Sequence, residues 1–167
     1  MVEPGKTSVE ALAPDWSREA KRPGVWDPGR ELLRAIRLYQ NASGPLAPLS
    51  KKISVLRHRF WSAITGADIP LNSRLGGGLL IPHPNGIVIH PDASIGINCL
   101  IFQQVTIGSN GRGIPTVGNH VDIGAGAKLI GPIVIGDHAR IGANALVRED
   151  VPPFGTVVCA PGKLLDE

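Results

Sequence analysis

The sequence predicts a mainly β protein, a parallel β-helix of hexapeptide repeats preceded by a short α-helical N-terminal region. Three observations carry this. Aliphatic residues recur six apart along Ile89, Ile95, Ile101 and Ile107, and again along Val117, Ile123, Leu129, Ile135, Ile141 and Val147. Glycine often follows them, as in Ile95-Gly96, Ile123-Gly124, Ile135-Gly136 and Ile141-Gly142. Composition agrees: 21 Gly and 15 Pro among 167 residues favour turns, only 4% are aromatic, and 43% hydrophobic content argues against disorder.

A period of six is not helical. It suits strands only if the chain turns every few residues. The Ile-Gly pairs, followed by Asn, Asp or Ala, are read as those turns. Short strands with tight corners then coil, and one aliphatic residue per hexapeptide points into a core that each turn shares with the next. A poorer series runs through Ile69, Leu75, Ile81 and Ile87 and slips before Ile89. The ten-residue gap from Ile107 to Val117 must loop out around "GSNGRGIPT". Loops on a regular scaffold are natural places for a site.

The N-terminal part follows a different rule. Leu32, Leu33, Ile36 and Tyr39 share one helical face, as do Leu49, Ile53, Leu56 and Phe60. Asp27-Pro28 suits an N-cap followed by the first helical residue, and Gly66 suits a C-terminal stop. Residues 1–22 lack periodicity and are read as a flexible arm. The division is then 1–22 arm, 23–66 helical region, 67–158 β-helix and 159–167 tail.

Charge is uneven. Residues 1–65 carry eleven Lys/Arg against six Asp/Glu; residues 66–167 carry six against eight. No basic run is long and no aromatics interleave with it, so a solvated helical face is expected, with no nucleic-acid or membrane partner. The N-terminus lacks an apolar leader and no apolar run is long enough to span a bilayer, which makes the cytoplasm the expected compartment. Cys99 and Cys159 are too few for a disulfide framework and are read as small packing residues.

Several stretches resemble one family. The chain reads "DPG" at 27–29, "DIPL" at 68–71, "PHPNGIVIH" at 82–90, "QQVTIGS" at 103–109, "IGAGAK" at 123–128, "VPP" at 151–153 and "APGK" at 160–163. From about Asp27 to Lys163 this is similar to the serine O-acetyltransferases, left-handed β-helix acyltransferases that use acetyl-CoA. The resemblance implies a left-handed coil, direct acetyl transfer to a hydroxyl, a homotrimer and no metal. It makes Asp68 and His83, fifteen residues apart, a catalytic dyad. A serine hydroxyl needs a base during attack; a neutral imidazole serves near neutral pH, and a carboxylate on its other nitrogen fixes its tautomer.

The resemblance also matches Asp27 to the aspartate that receives the substrate's amino group, a role compatible with capping a helix. It places CoA along the coil near Gly108, Ala125 and Ala127, with Lys128 and Lys163 toward its phosphates. Two positions depart from the family pattern. Pro82 stands where an aspartate precedes the catalytic histidine, and Gly113-Ile114-Pro115 replaces an Arg-His-Pro. Arg112 is the candidate to meet the acceptor carboxylate instead. His90, His120 and His138 fall at corners and are read as turn residues. A sugar hydroxyl is the alternative acceptor, and a non-catalytic scaffold the alternative role. A zinc carbonic anhydrase of related fold fits poorly, because His83 and His90 are seven apart where paired ligands need five.

Overall fold

The computed structural model describes residues 13–21 and 23–160. Two helices lead, α1 (Pro28–Gln40) and α2 (Ala47–Thr65). Twelve short strands follow: β1 (Arg74–Leu75), β2 (Val88–Ile89), β3 (Ser94–Ile95), β4 (Leu100–Ile101), β5 (Thr106–Gly108), β6 (Thr116–Val117), β7 (Asp122–Ile123), β8 (Lys128–Ile130), β9 (Val134–Ile135), β10 (Arg140–Ile141), β11 (Leu146–Val147) and β12 (Thr156–Val157). They form three parallel sheets of four. The first face stacks β2, β5, β8 and β11; the second β1, β3, β6 and β9; the third β4, β7, β10 and β12. Single bridges at Asp68, Leu80 and Val151 extend each face by one rung. The architecture is a left-handed parallel β-helix of about five turns.

Register explains the period. Ile89 pairs Ile107, Ile107 pairs Leu129, and Leu129 pairs Val147, so the six-spaced aliphatics form inward columns. The core holds more than one residue per hexapeptide, however. Ala93, Cys99, Val105, Val121, Ala127, Ile133, Ala139 and Ala145 are also buried, each two positions before its column residue. The reason is geometric: the chain crosses each corner within a few residues, so side chains on both sides of one strand residue turn inward. Ile87 belongs to this second set, which accounts for the apparent slip before Ile89.

The turns also differ from the expected chemistry. The left-handed residue is not the glycine after the aliphatic but the residue two further on: Asn98, His120, Gly126, His138 and Asn144 all have positive φ. The glycines answer a different need. A Cβ on Gly96 would collide with the Gly118 carbonyl of the next rung. Cys99 packs fully buried, which pushes its thiol up to about 11. Cys159 is exposed and packs nothing, because its stretch follows the last strand of the coil.

The first turn would leave an open end, and α1 covers it. Asp27 caps the helix by accepting from the Arg30 amide (3.2 Å), and Pro28 opens it. Leu32, Leu33 and Ile36 join the same core cluster as Ile69, Leu75 and Ile81. Arg37 donates to the Leu75 and Gly76 carbonyls (2.7 and 2.6 Å) and Gln40 to those of Leu71 and Ser73.

Helix α2 packs beside α1 but not by the face its pattern indicates. Ser54 and Thr65 are its buried residues, and Leu49, Ile53, Leu56 and Phe60 lie exposed. Residues 13–21 of the arm lie against the coil. Asn98 accepts from the Asp15 amide (2.7 Å) and donates to the Ala13 carbonyl (3.1 Å), and Glu19 binds both Arg37 (2.8 Å) and the Leu79 amide (3.1 Å).

Candidate functional site

The edge between the third and first faces carries the first irregularity. Eight positions separate Leu80 from Val88, against six from Leu100 to Thr106. The surplus forms a bulge headed by His83, whose side chain is exposed. Pro82 and Pro84 flank it and fix its backbone. Pro84 is buried, and its carbonyl accepts from Ile87 (3.2 Å), so the bulge rejoins the coil at once. The imidazole faces Phe102 of the next turn, ring centroids 6.4 Å apart.

Asp68 lies alongside the far end of this bulge. Its amide donates to Ile87 (2.8 Å), its carbonyl accepts from Ile89 (2.9 Å), and Gly86 donates to Gly66 (3.1 Å). Coil pitch thus brings the two stretches together. The side chains do not touch: among the described residues no ion pair or hydrogen bond joins the His83 ring to the Asp68 carboxylate, whose atoms are more than 4.0 Å apart. Catalytic hydrogen bonds are often long without substrate and tighten on binding.

A cleft of about 310 Å³ opens beside the bulge, between the start of α1 and the coil, lined by Trp26, Asp27, Pro28, Arg30 and residues 80–82. Asp27 does two jobs here. One carboxylate oxygen caps the helix, and the other takes an ion pair from Arg30 (2.7 Å).

The remaining candidates distribute over the coil. Ala125 and Ala127 lie on the same edge as His83, two rungs on; Ala125 is half-buried, while the Ala127 side chain is one of the inward core residues and leaves only backbone at the surface. The Ala127 carbonyl is already taken by Thr106 (2.9 Å) and that of Ala125 by Asn144 (2.8 Å). Lys128 reaches back to the Gln104 carbonyl (2.6 Å). Gly108 ends β5, and its carbonyl accepts from Gly131 (3.0 Å). Arg112 is exposed on the loop between β5 and β6, at the edge of the first and second faces, so one chain does not unite it with His83. Lys163 lies outside the described residues. His90 sits on the same edge as Arg112, away from His83, and His120 and His138 stack on the opposite corner with centroids 4.8 Å apart.

Sequence reasoning missed three neighbours: Phe102 beside His83, and Trp26 and Arg30 beside Asp27. Arg30 was detectable, since Asp and Arg three apart meet on a helix. Phe102 was not, because its nearness depends on which corner the bulge occupies.

The architecture is thus a parallel coil of hexapeptides with an exposed histidine on a corner bulge. The family of bacterial transferase hexapeptide repeats (six repeats) matches residues 115–149. The chain is also similar to serine acetyltransferases. That of Synechococcus elongatus is 45% identical over 106 residues, covering 61% of this chain and 43% of the relative. The crystal structure of Neisseria gonorrhoeae serine acetyltransferase in complex with serine matches 83% of this chain and 57% of its own, with TM-score 0.68 and 35% identity. A serine acetyltransferase in complex with CoA matches with TM-score 0.69 and 29% identity over 84% of this chain and 58% of its own. The chain spans about half the length of the curated relatives it matches.

Proposed function

We propose that the protein is an acetyl-CoA-dependent O-acetyltransferase whose acceptor is L-serine, making O-acetylserine for cysteine synthesis. The observation that carries this reading is the exposed His83, held on a corner bulge beside both Asp68 and the Asp27 cleft. The similarity to serine acetyltransferases, including one bound to serine and one to CoA, supports it.

In this reading His83 removes the proton from the acceptor hydroxyl as its oxygen attacks the thioester carbonyl. The new C–O bond forms, the C–S bond breaks, and the proton passes from the imidazolium to the leaving thiolate, with no acyl-enzyme. Asp68 steadies the imidazolium. A backbone N–H receives the oxyanion. Asp27 holds the acceptor's ammonium and Arg112 its carboxylate. CoA lies along Gly108, Ala125 and Ala127, with Lys128 and Lys163 toward its phosphates. Because Arg112 and His83 occupy different edges of one coil, a complete site takes Arg112 from a neighbouring chain, and the acting unit is a homotrimer. The compartment is the cytoplasm; no helix among the described residues is long and apolar enough to cross a membrane.

One observation favours a sugar hydroxyl instead. Arg30 already neutralises Asp27, so a substrate ammonium must compete for it. The test is thiol release from acetyl-CoA with L-serine, homoserine and nucleotide sugars. Serine-dependent release that disappears in His83→Ala supports the proposal. Release with a sugar but none above background with saturating serine overturns it in favour of the sugar.

A further inference from the structure

Helix α2 presents an apolar stripe to solvent. Leu46, Leu49, Ile53, Leu56, Phe60 and Ile64 recur at helical spacing along its outer side, each about half or more exposed, with Leu46 at 71% and Leu56 at 68%. The stripe runs about 28 Å, the length of the helix. Isolated exposed leucines are ordinary, but a continuous row marks a contact surface. At one end it meets exposed Leu38 of α1; at the other, the Phe60–Trp61–Trp26 cluster, with ring centroids 5.0 and 5.5 Å apart and Trp26 71% exposed.

The polar residues beside the stripe carry one sign. The 19 residues of α2 include Lys51, Lys52, Arg57 and Arg59 and no Asp or Glu. Arg57 is paired to Glu31 of α1. Lys52 and Arg59 border the stripe, both are exposed, and neither has a carboxylate within 4.0 Å among the described residues. A second copy laid antiparallel on the stripe would set the Lys52–Arg59 flank against the same basic flank of the copy, with no acid on either helix to relieve it. A partner that is apolar within and anionic at its rim satisfies both features at once.

Against the expectation of no membrane partner drawn from charge alone, we infer that α2 is an interfacial helix that lays its leucine stripe into the surface of an anionic lipid bilayer, with Lys52 and Arg59 at the headgroups. Nothing in it needs to span the bilayer; a basic amphipathic helix with aromatic residues at one end lies in the interface plane. Trp26, 71% exposed, is the indole available to settle at the headgroup level, while Trp61 beside it packs against the protein core. The inference is independent of the acetyl-transfer reading.

The test uses the whole chain with vesicles of phosphatidylcholine, with or without roughly one-third phosphatidylglycerol. Co-sedimentation and a blue shift of tryptophan emission are expected with the anionic vesicles, at least about tenfold weaker with neutral ones and weakened by salt. Leu56→Glu should abolish binding, and the pair Lys52→Glu and Arg59→Glu should remove the preference for anionic lipid. All three positions are exposed, so the variants keep the fold, checked by circular dichroism. No binding to anionic vesicles, or equal binding by Leu56→Glu, overturns the proposal. So does a solution mass that falls on Leu56→Glu without vesicle binding, which would give the stripe to a second copy.

Discussion

His83 sits where the ladder departs from its period, and that departure gives it an exposed imidazole on a stiff backbone. Proton abstraction by such a group contributes roughly 100- to 10,000-fold to a rate. His83→Ala should therefore lower turnover by about that factor while equilibrium dialysis finds acetyl-CoA binding unchanged. Asp68→Asn should lose less, because it leaves the base in place and removes only its orienting charge. A His83→Ala enzyme with normal turnover places the base elsewhere. Both positions were legible as candidates in two short motifs only through their family resemblance. Their side-chain separation was not, since it depends on how a two-residue surplus folds at one corner.

Among the elements, α1 is held by Glu31, which binds Lys21 of the arm (2.6 Å) and Arg57 of α2 (2.7 Å). The hydrogen bond from Lys21 leads in holding its carboxyl below the usual 4.5, with the charges of Lys21, Arg57 and Arg34 adding to it against desolvation. A depressed pKa stabilises the fold above the unfolded value and loses that contribution as pH falls through the folded one. Thermal stability should thus decline below about pH 4.5 in the native chain, and this part of the decline should be missing in Glu31→Gln. At neutral pH that variant should cost about 1–2 kcal/mol by denaturant titration, a modest figure because Lys21 and Arg57 are partly exposed.

The strands allow a cleaner comparison within one dipeptide of β9. Ile135 is fully buried and Val134 is 53% exposed. Ile135→Ala should cost about 2–5 kcal/mol and Val134→Ala about 0.5 kcal/mol or less in equilibrium unfolding. The inward column was readable because six-residue spacing survives along most of the coil. The second inward position keeps the same six-residue spacing, but it is filled in half its rungs by alanine (Ala93, Ala127, Ala139 and Ala145), a residue equally at home on a surface, so composition alone did not mark it as core. The four residues read as one face of α2 do lie on one side, but a helical stripe says which side is apolar, not whether anything covers it.

At the scale of the whole molecule, the coil puts His83 on one edge and Arg112 on another. If acceptor binding needs both, neighbouring chains must supply them. Sedimentation equilibrium should give a mass three times the 17.6 kDa of the chain. Mixing His83→Ala chains with Arg112→Ala chains should restore part of the activity that each lacks alone. A monomer that turns over serine would remove the shared site. Architecture and the order of helices before coil were legible from composition and period. Assembly was not, because the period describes the inside of the coil and not what its outer faces meet.

The cover that α1 places over the first turn also sets the polarity of growth. A parallel coil has no natural stopping point: each rung presents unpaired amides and carbonyls to the next, and an uncovered end is a template for another copy. Arg37 and Gln40 occupy first-turn carbonyls, at Leu75, Gly76, Leu71 and Ser73, while Leu32, Leu33 and Ile36 plug the apolar bore. The helix therefore acts as a chain terminator as much as a structural lid. It keeps a sequence well suited to endless filament from becoming one at this end.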